Sequence, residues 1–103
     1  MIPISRYVIG GNQMDDSGKK RLIEHMVDNL PTLRKRLGLS QNDLATMIGI
    51  GRSSLAAIEN RKRPLTWNTF LSLVFIFIKN EDTDKLLNVM DIYTEELNEF
   101  IKI

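Results

Sequence analysis

Seven basic side chains fall between residues 34 and 63: Arg34, Lys35, Arg36, Arg52, Arg61, Lys62 and Arg63. Only Asp43 and Glu59 oppose them, so this stretch carries +5 although the whole chain carries +1. Residues 80–103 reverse the balance, with seven acids against Lys85 and Lys102, a net −5. Such asymmetry in a near-neutral chain is the footprint of a phosphate-binding face with an acidic tail turned away from it. Other chemistries lack their residues. The chain has no cysteine, which excludes disulfides, thiolate metal sites and thiol catalysis. Its single histidine, His25, does not make a protein-only zinc site and reads as a surface or interface residue. No paired carboxylates, no nucleophile with a base and no phosphate-cradling glycine loop can be found. The expectation is therefore no enzyme, no cofactor and no metal. Asp15-Asp16 reads as a helix start rather than a ligand pair.

The basic residues are positioned by one stretch, Leu39 to Pro64, reading LSQNDLATMIGIGRSSLAAIENRKRP. Ser40 can cap a first short helix, with Asp43 supplying a carboxylate at its positive end. Leu44, Ala45 and Ile48 share one face. Gly49-Ile50-Gly51 breaks that helix. A second follows, with Leu55 and Ile58 inward and Arg52, Ser53, Ala56, Ala57 and Asn60 on the opposite face. Arg61, Lys62 and Arg63 come next, and Pro64 ends the element. Two short helices, a glycine turn and a basic exit describe a helix-turn-helix. On its outer face Arg52 and Ser53 are the candidate base readers, since a guanidinium bonds guanine O6 and N7 together. Ala56 and Ala57 have no donors and offer only contact with a thymine methyl or close approach. Ser54, Asn60, Arg61, Lys62 and Arg63 are phosphate candidates by charge and position.

LRKRLGLSQNDLA (Leu33 to Ala45), MIGIGRSSLAAIENRKRP (Met47 to Pro64) and the following TWNTFLSL together resemble the Cro/C1-type, XRE-like helix-turn-helix DNA-binding proteins. That family includes phage repressors and small bacterial regulators, and the resemblance covers roughly residues 30–79. It implies that Gln41 bonds a phosphate at the head of the helix crossing the backbone. It also implies that Arg34 pairs with Glu59 and so sets how the preceding helix crosses the recognition helix; the alternative places Arg34 on phosphate. Two positions depart from the family. Gly51 stands where Ser or Thr usually caps the recognition helix, and Arg61 stands where a glycine is common.

The expected fold is all-α: a compact five- or six-helix bundle of the lambda-repressor-like DNA-binding type, with an N-terminal arm and a C-terminal helical extension. Residues 1–18 form the arm, a short strand or a flexible terminus; 19–79 form the DNA-binding domain; 80–103 pack on it. Lys19 to Asp28 reads as one helix. Pro31, which suits a first turn, then suggests a second, capped by Asn29 and running to Leu37. Thr66 caps an apolar helix from Trp67 to about Lys79. Beyond Asn80, the recurrence of Leu86, Val89, Met90, Tyr93, Leu97, Phe100 and Ile101 fits one long helix or two short ones.

A 43% hydrophobic content in 103 residues suits one globular domain. The start lacks a signal peptide, and the longest apolar run is far short of the roughly 20 residues that span a bilayer. A cytoplasmic location follows as an expectation, without membrane or small-molecule partners. Useful specificity from so small a module argues for a homodimer on a palindromic operator, formed through the fourth and C-terminal helices. The resulting reading is a sequence-specific binder of double-stranded DNA, a transcriptional repressor. The competing reading is an antitoxin or accessory factor that uses the same fold for protein–protein interaction.

Overall fold

The structure is a computed structural model that describes residues 14–102. Residues 1–13, where the strand or flexible arm was expected, lie outside the described residues. Those described form six helices and no strand: α1 (Asp16–Arg36), α2 (Gln41–Ile48), α3 (Arg52–Glu59), α4 (Trp67–Ile78), α5 (Glu81–Val89) and α6 (Glu95–Ile101). No helix among them is long and apolar enough to cross a membrane.

α1 is the frame. Asp15 caps it by accepting from the Gly18 N–H. It begins at Asp16, so the expected boundary at Lys19 moves into the first turn, and Met14 is already buried in the core. The expected break before Pro31 is corrected: α1 runs through Pro31 for 21 residues. Asn29 is no cap; its side-chain amide donates back to the His25 carbonyl at 2.8 Å. The reason is packing. Leu22, Met26, Leu30 and Leu33 form one continuous buried stripe across the proline. Keeping that stripe in one helix outweighs the single backbone hydrogen bond that proline cannot donate.

The core unites this stripe with Leu44 and Ala45 of α2, Leu55 and Ile58 of α3, and Phe70, Leu73, Val74 and Phe77 of α4. α4 is apolar nearly all round, and α1, α2 and α5 cover it on several sides. Thr66 caps it, accepting from Thr69. Trp67 lies at the rim, stacked on Phe70 with ring centroids 4.8 Å apart and edge-on to Phe100 at 5.6 Å.

The C-terminal extension is two short helices. Asn80 caps α5 with its side-chain carbonyl. α5 stops at Val89 because Asp91 takes a left-handed conformation, φ 55°, and the Ile92 N–H turns back to Leu87 O. No glycine marks this break. The inward set is corrected accordingly: Thr83, Leu87, Ile92 and Leu97 are buried, whereas Val89 is 78% exposed. The Thr83 hydroxyl is satisfied by donating to Phe77 O at 2.6 Å.

A polar stripe of α1 ties these parts together. Arg21 pairs with Glu96 of α6, and Nδ1 of His25 lies 2.8 Å from the Asp91 carbonyl. Asp28 pairs with Arg61 beyond α3. Gly18 allows the α6 approach, since a β-carbon there would come within 3.2 Å of Asp15 and Glu96 oxygens.

If the buried stripe overrides the proline, Pro31→Ala should restore a helical hydrogen bond and relieve the ring's crowding of the previous turn. A stability gain of about 1–3 kcal/mol is expected in urea unfolding, with unchanged helix content.

Candidate nucleic-acid interface

The α2–turn–α3 unit is closed at each corner by local chemistry. Ser40 and Asp43 form a reciprocal capping box: the Ser40 hydroxyl accepts from the Asp43 N–H and the Asp43 carboxylate accepts from the Ser40 N–H, each at 3.0 Å. The backbone hydrogen bond from Ser40, more than that from its hydroxyl, holds the Asp43 carboxyl below its ordinary pKa. Gly49 ends α2 at φ 78°, and the Ile50 N–H returns to Ala45 O. α3 starts at Arg52 with no side-chain cap, because Gly51 has no side chain to offer. At its other end the chain reverses through Arg61, whose φ of 63° explains the family's glycine at this position. The Lys62 N–H then closes on Ala57 O at 2.8 Å.

Beneath this unit lies a polar node. The Arg34 guanidinium makes two parallel bonds to Glu59, Nε to Oε2 at 2.9 Å and Nη2 to Oε1 at 3.1 Å. Its Nη1 donates to the Leu39 carbonyl at 3.0 Å. The side chains are only 11% and 4% exposed, which makes this a buried pair rather than a surface one. The hydrogen bonds to Glu59 raise the Arg34 pKa further. Gln41 joins the node by donating Nε2 to Glu59 Oε1 at 3.0 Å. The node therefore links the end of α1, the segment before α2, the start of α2 and the end of α3.

The outer surface is arranged differently. Arg52, Ser53 and Asn60 are exposed, and Ala56 and Ala57 are half-buried. Arg63 Nη1 donates to the Ser54 hydroxyl at 2.5 Å, which draws the loop toward α3 and leaves the Ser54 proton free to donate. Arg61, expected to be free for phosphate, is paired with Asp28 at the surface. Arg52 and Lys62 have no ion pair among the described residues. Of the two carboxylates of the basic segment, Glu59 is buried on Arg34, and Asp43 is exposed and accepts from the Ser40 amide. The buried Arg34–Glu59 pair removes one charge of each sign, so the rest of the segment keeps its net +5, with Arg61 paired to Asp28.

Sequence reasoning missed three features here: the Leu39 carbonyl on Arg34, the Gln41 bond to Glu59, and Asp28 opposite Arg61. None has a local signal, because each joins residues from different elements. Among the described residues no group of histidine, cysteine or carboxylate side chains could hold a metal ion.

The helix-turn-helix family matches residues 32–69, from the second half of α1 to the start of α4. α5, α6 and the first half of α1 lie outside the match. No curated protein and no solved structure matches the chain significantly.

Removing Glu59 strands a buried guanidinium and an amide. Glu59→Ala should destabilise the fold by about 3 kcal/mol, read as a lowered urea midpoint, while the exposed Glu81→Ala should change it by less than about 0.5 kcal/mol.

Proposed function

From the Cro/C1-type, XRE-like helix-turn-helix at residues 32–69, we propose that this protein is a transcription regulator binding double-stranded DNA sequence-specifically, as a repressor and a dimer on a two-fold operator. One observation carries the reading. α3 ends in a cationic loop and begins with an exposed, unpaired Arg52, and its own acid, Glu59, is buried on Arg34. A helix with its side chains is about 10–12 Å across, which the major groove, about 12 Å wide, admits.

In this arrangement Arg52 and Ser53 reach base edges first. Ala56 and Ala57 let the helix approach closely and meet thymine methyls. Gln41 retains a second amide proton for phosphate while its first bonds Glu59, so it positions and holds at once. Lys62, Arg63, Asn60 and the Ser54 proton take further phosphates. Arg61 contributes field at the loop while bonded to Asp28. Occupying the operator is sufficient for repression by exclusion.

Of the dimer surface, α4 and the C-terminal helices, the α4 part is supported by apolar surface left uncovered. Phe75 of α4 is 56% exposed and Met47 of α2 is 52% exposed. They border one cleft with Ile48, Leu71 and Ile76. Monomers seldom leave such rings to water without a partner. The same surface is what favours the second reading, an accessory factor docking a different protein.

Selection from random duplexes at two salt concentrations should return a palindromic consensus with a steep salt slope. Selection without a consensus would remove the claim of specificity. On the selected operator, Arg52→Ala should lose about 1–3 kcal/mol of preference at one base pair. Lys62→Ala should weaken all sequences alike and reduce the salt slope by about 1.

Phe75→Glu should convert the dimer to a monomer in sedimentation equilibrium and weaken operator binding, with helix content retained. A wild-type chain that sediments as a monomer at operator-binding concentrations would overturn the dimer.

A further inference from the structure

Beside the cationic loop, and sharing its Arg61, Lys62 and Arg63, lies a groove of about 540 Å³. One wall is the N-terminal half of α1; the other is the segment from Ile58 to Leu65. Ile23, Val27, Ile58 and Leu65 form its apolar floor. The volume falls in the range of small-molecule sites, about 300–1,000 Å³. The residues lining it include no aromatic ring, so it offers no stacking platform for a nucleobase or an aromatic ligand. Its floor suits an aliphatic chain.

The rim decides the charge of the head. Lys19, Lys20, Arg61, Lys62 and Arg63 face Asp16 and Glu24, five cations against two anions. The acids both lie on the α1 wall and repel a negative head from it. Lys19 lies over the Trp67 and Phe100 rings at 5.3 and 5.5 Å, and Arg61 is held by Asp28. Lys62 has no ion pair among the described residues, and Arg63 bonds only the Ser54 hydroxyl. Lys20 is also unpaired, but it stands one helical turn from both Asp16 and Glu24, so the free cations not flanked by acids are on the loop side.

We propose that this groove binds a soluble aliphatic carboxylate, its chain on the Ile23–Val27–Ile58–Leu65 floor and its head at Lys62 and Arg63. Occupancy neutralises cations that the DNA reading assigns to phosphate, so the ligand antagonises DNA binding. This regulatory half rests on that reading; the binding half does not. Each methylene laid on the floor adds affinity by removing apolar surface from water, and the head supplies selectivity against cations.

The test uses decanoate below its micelle concentration, with the full chain and amide-resolved NMR. Saturable shifts are expected at Val27, Ile58, Lys62 and Leu65, with octanoate binding several-fold more weakly. Decyltrimethylammonium, with the same chain and a positive head, should leave those amides unmoved. Lys62→Glu is exposed and should keep the wild-type melting curve while weakening decanoate about five-fold or more. No saturable shift would overturn the proposal, as would equal shifts with the cationic amphiphile or shifts centred on Met47 and Phe75. Decanoate should also displace the selected operator at fixed salt. Saturation of the groove with unchanged DNA affinity would overturn the regulatory half. A chain that binds no DNA would sink the DNA reading while the NMR titration still decides the groove.

Discussion

The recognition unit depends on a single buried arrangement, the guanidinium of Arg34 held in the fork of the Glu59 carboxylate. Neither group can be left in the interior without the other, because the desolvation of an unpaired charge is far larger than any gain from packing around it. The fork is planar and accepts only one approach, so it fixes a direction as well as a contact. Through Leu39 O and the Gln41 amide it fixes α2 as well. Its net contribution to stability is small compared with its effect on geometry. α3 has only eight residues and no N-terminal side-chain cap, too short a helix to hold its own position in water. What places Arg52 and Ser53 at the surface is the anchoring of the far end of their helix by Glu59.

A second constraint is how the chain reverses. Four helices end in the same way, with a left-handed residue and a hydrogen bond from the following N–H to a carbonyl in the last turn. The residues are Gly38, Gly49, Arg61 and Asp91. Glycine adopts this conformation freely; arginine and aspartate adopt it at a cost of about 1 kcal/mol. Both non-glycine reversals are stabilised from α1, Arg61 by Asp28 and the Asp91 carbonyl by His25. α1 therefore does more than fill the core. Its polar stripe compensates for two strained turns, held by side chains one helical turn apart on α1.

The charge division has the same architecture. The basic loop follows α3, and the acidic α5 and α6 pack on α4 and α1. Among the described residues no ion pair joins the loop cations to the acids of α5 and α6. Where α1 passes the loop, Asp28 and Glu24 are the exceptions. Asp28 is bound to Arg61, and that pairing moves the accessible positive charge to Lys62 and Arg63.

The all-helical class, the positions of α2, α3 and α4, the caps at Ser40 and Thr66, and a helix start at Asp15-Asp16 were legible in the sequence. Each rests on local chemistry: a hydroxyl or carbonyl reaching an amide three residues on, a glycine at a left-handed position, an apolar face repeating every three or four residues. The placement of Arg52, Ser53 and the Asn60–Arg63 loop outside the core followed from the same periodicity. Three things were decided only by tertiary structure. α1 stays whole across Pro31, because the stripe from Leu22 to Leu33 is buried by other elements. α5 stops at Val89, because Asp91 turns left-handed and Ile92 returns to the core, and no glycine announces it. Arg61 and Gln41 take partners, Asp28 and Glu59, that lie on different helices. Local signals act within one turn of chain and can be read in order. Burial and pairing between elements depend on which surfaces meet, and a linear pattern does not contain that information.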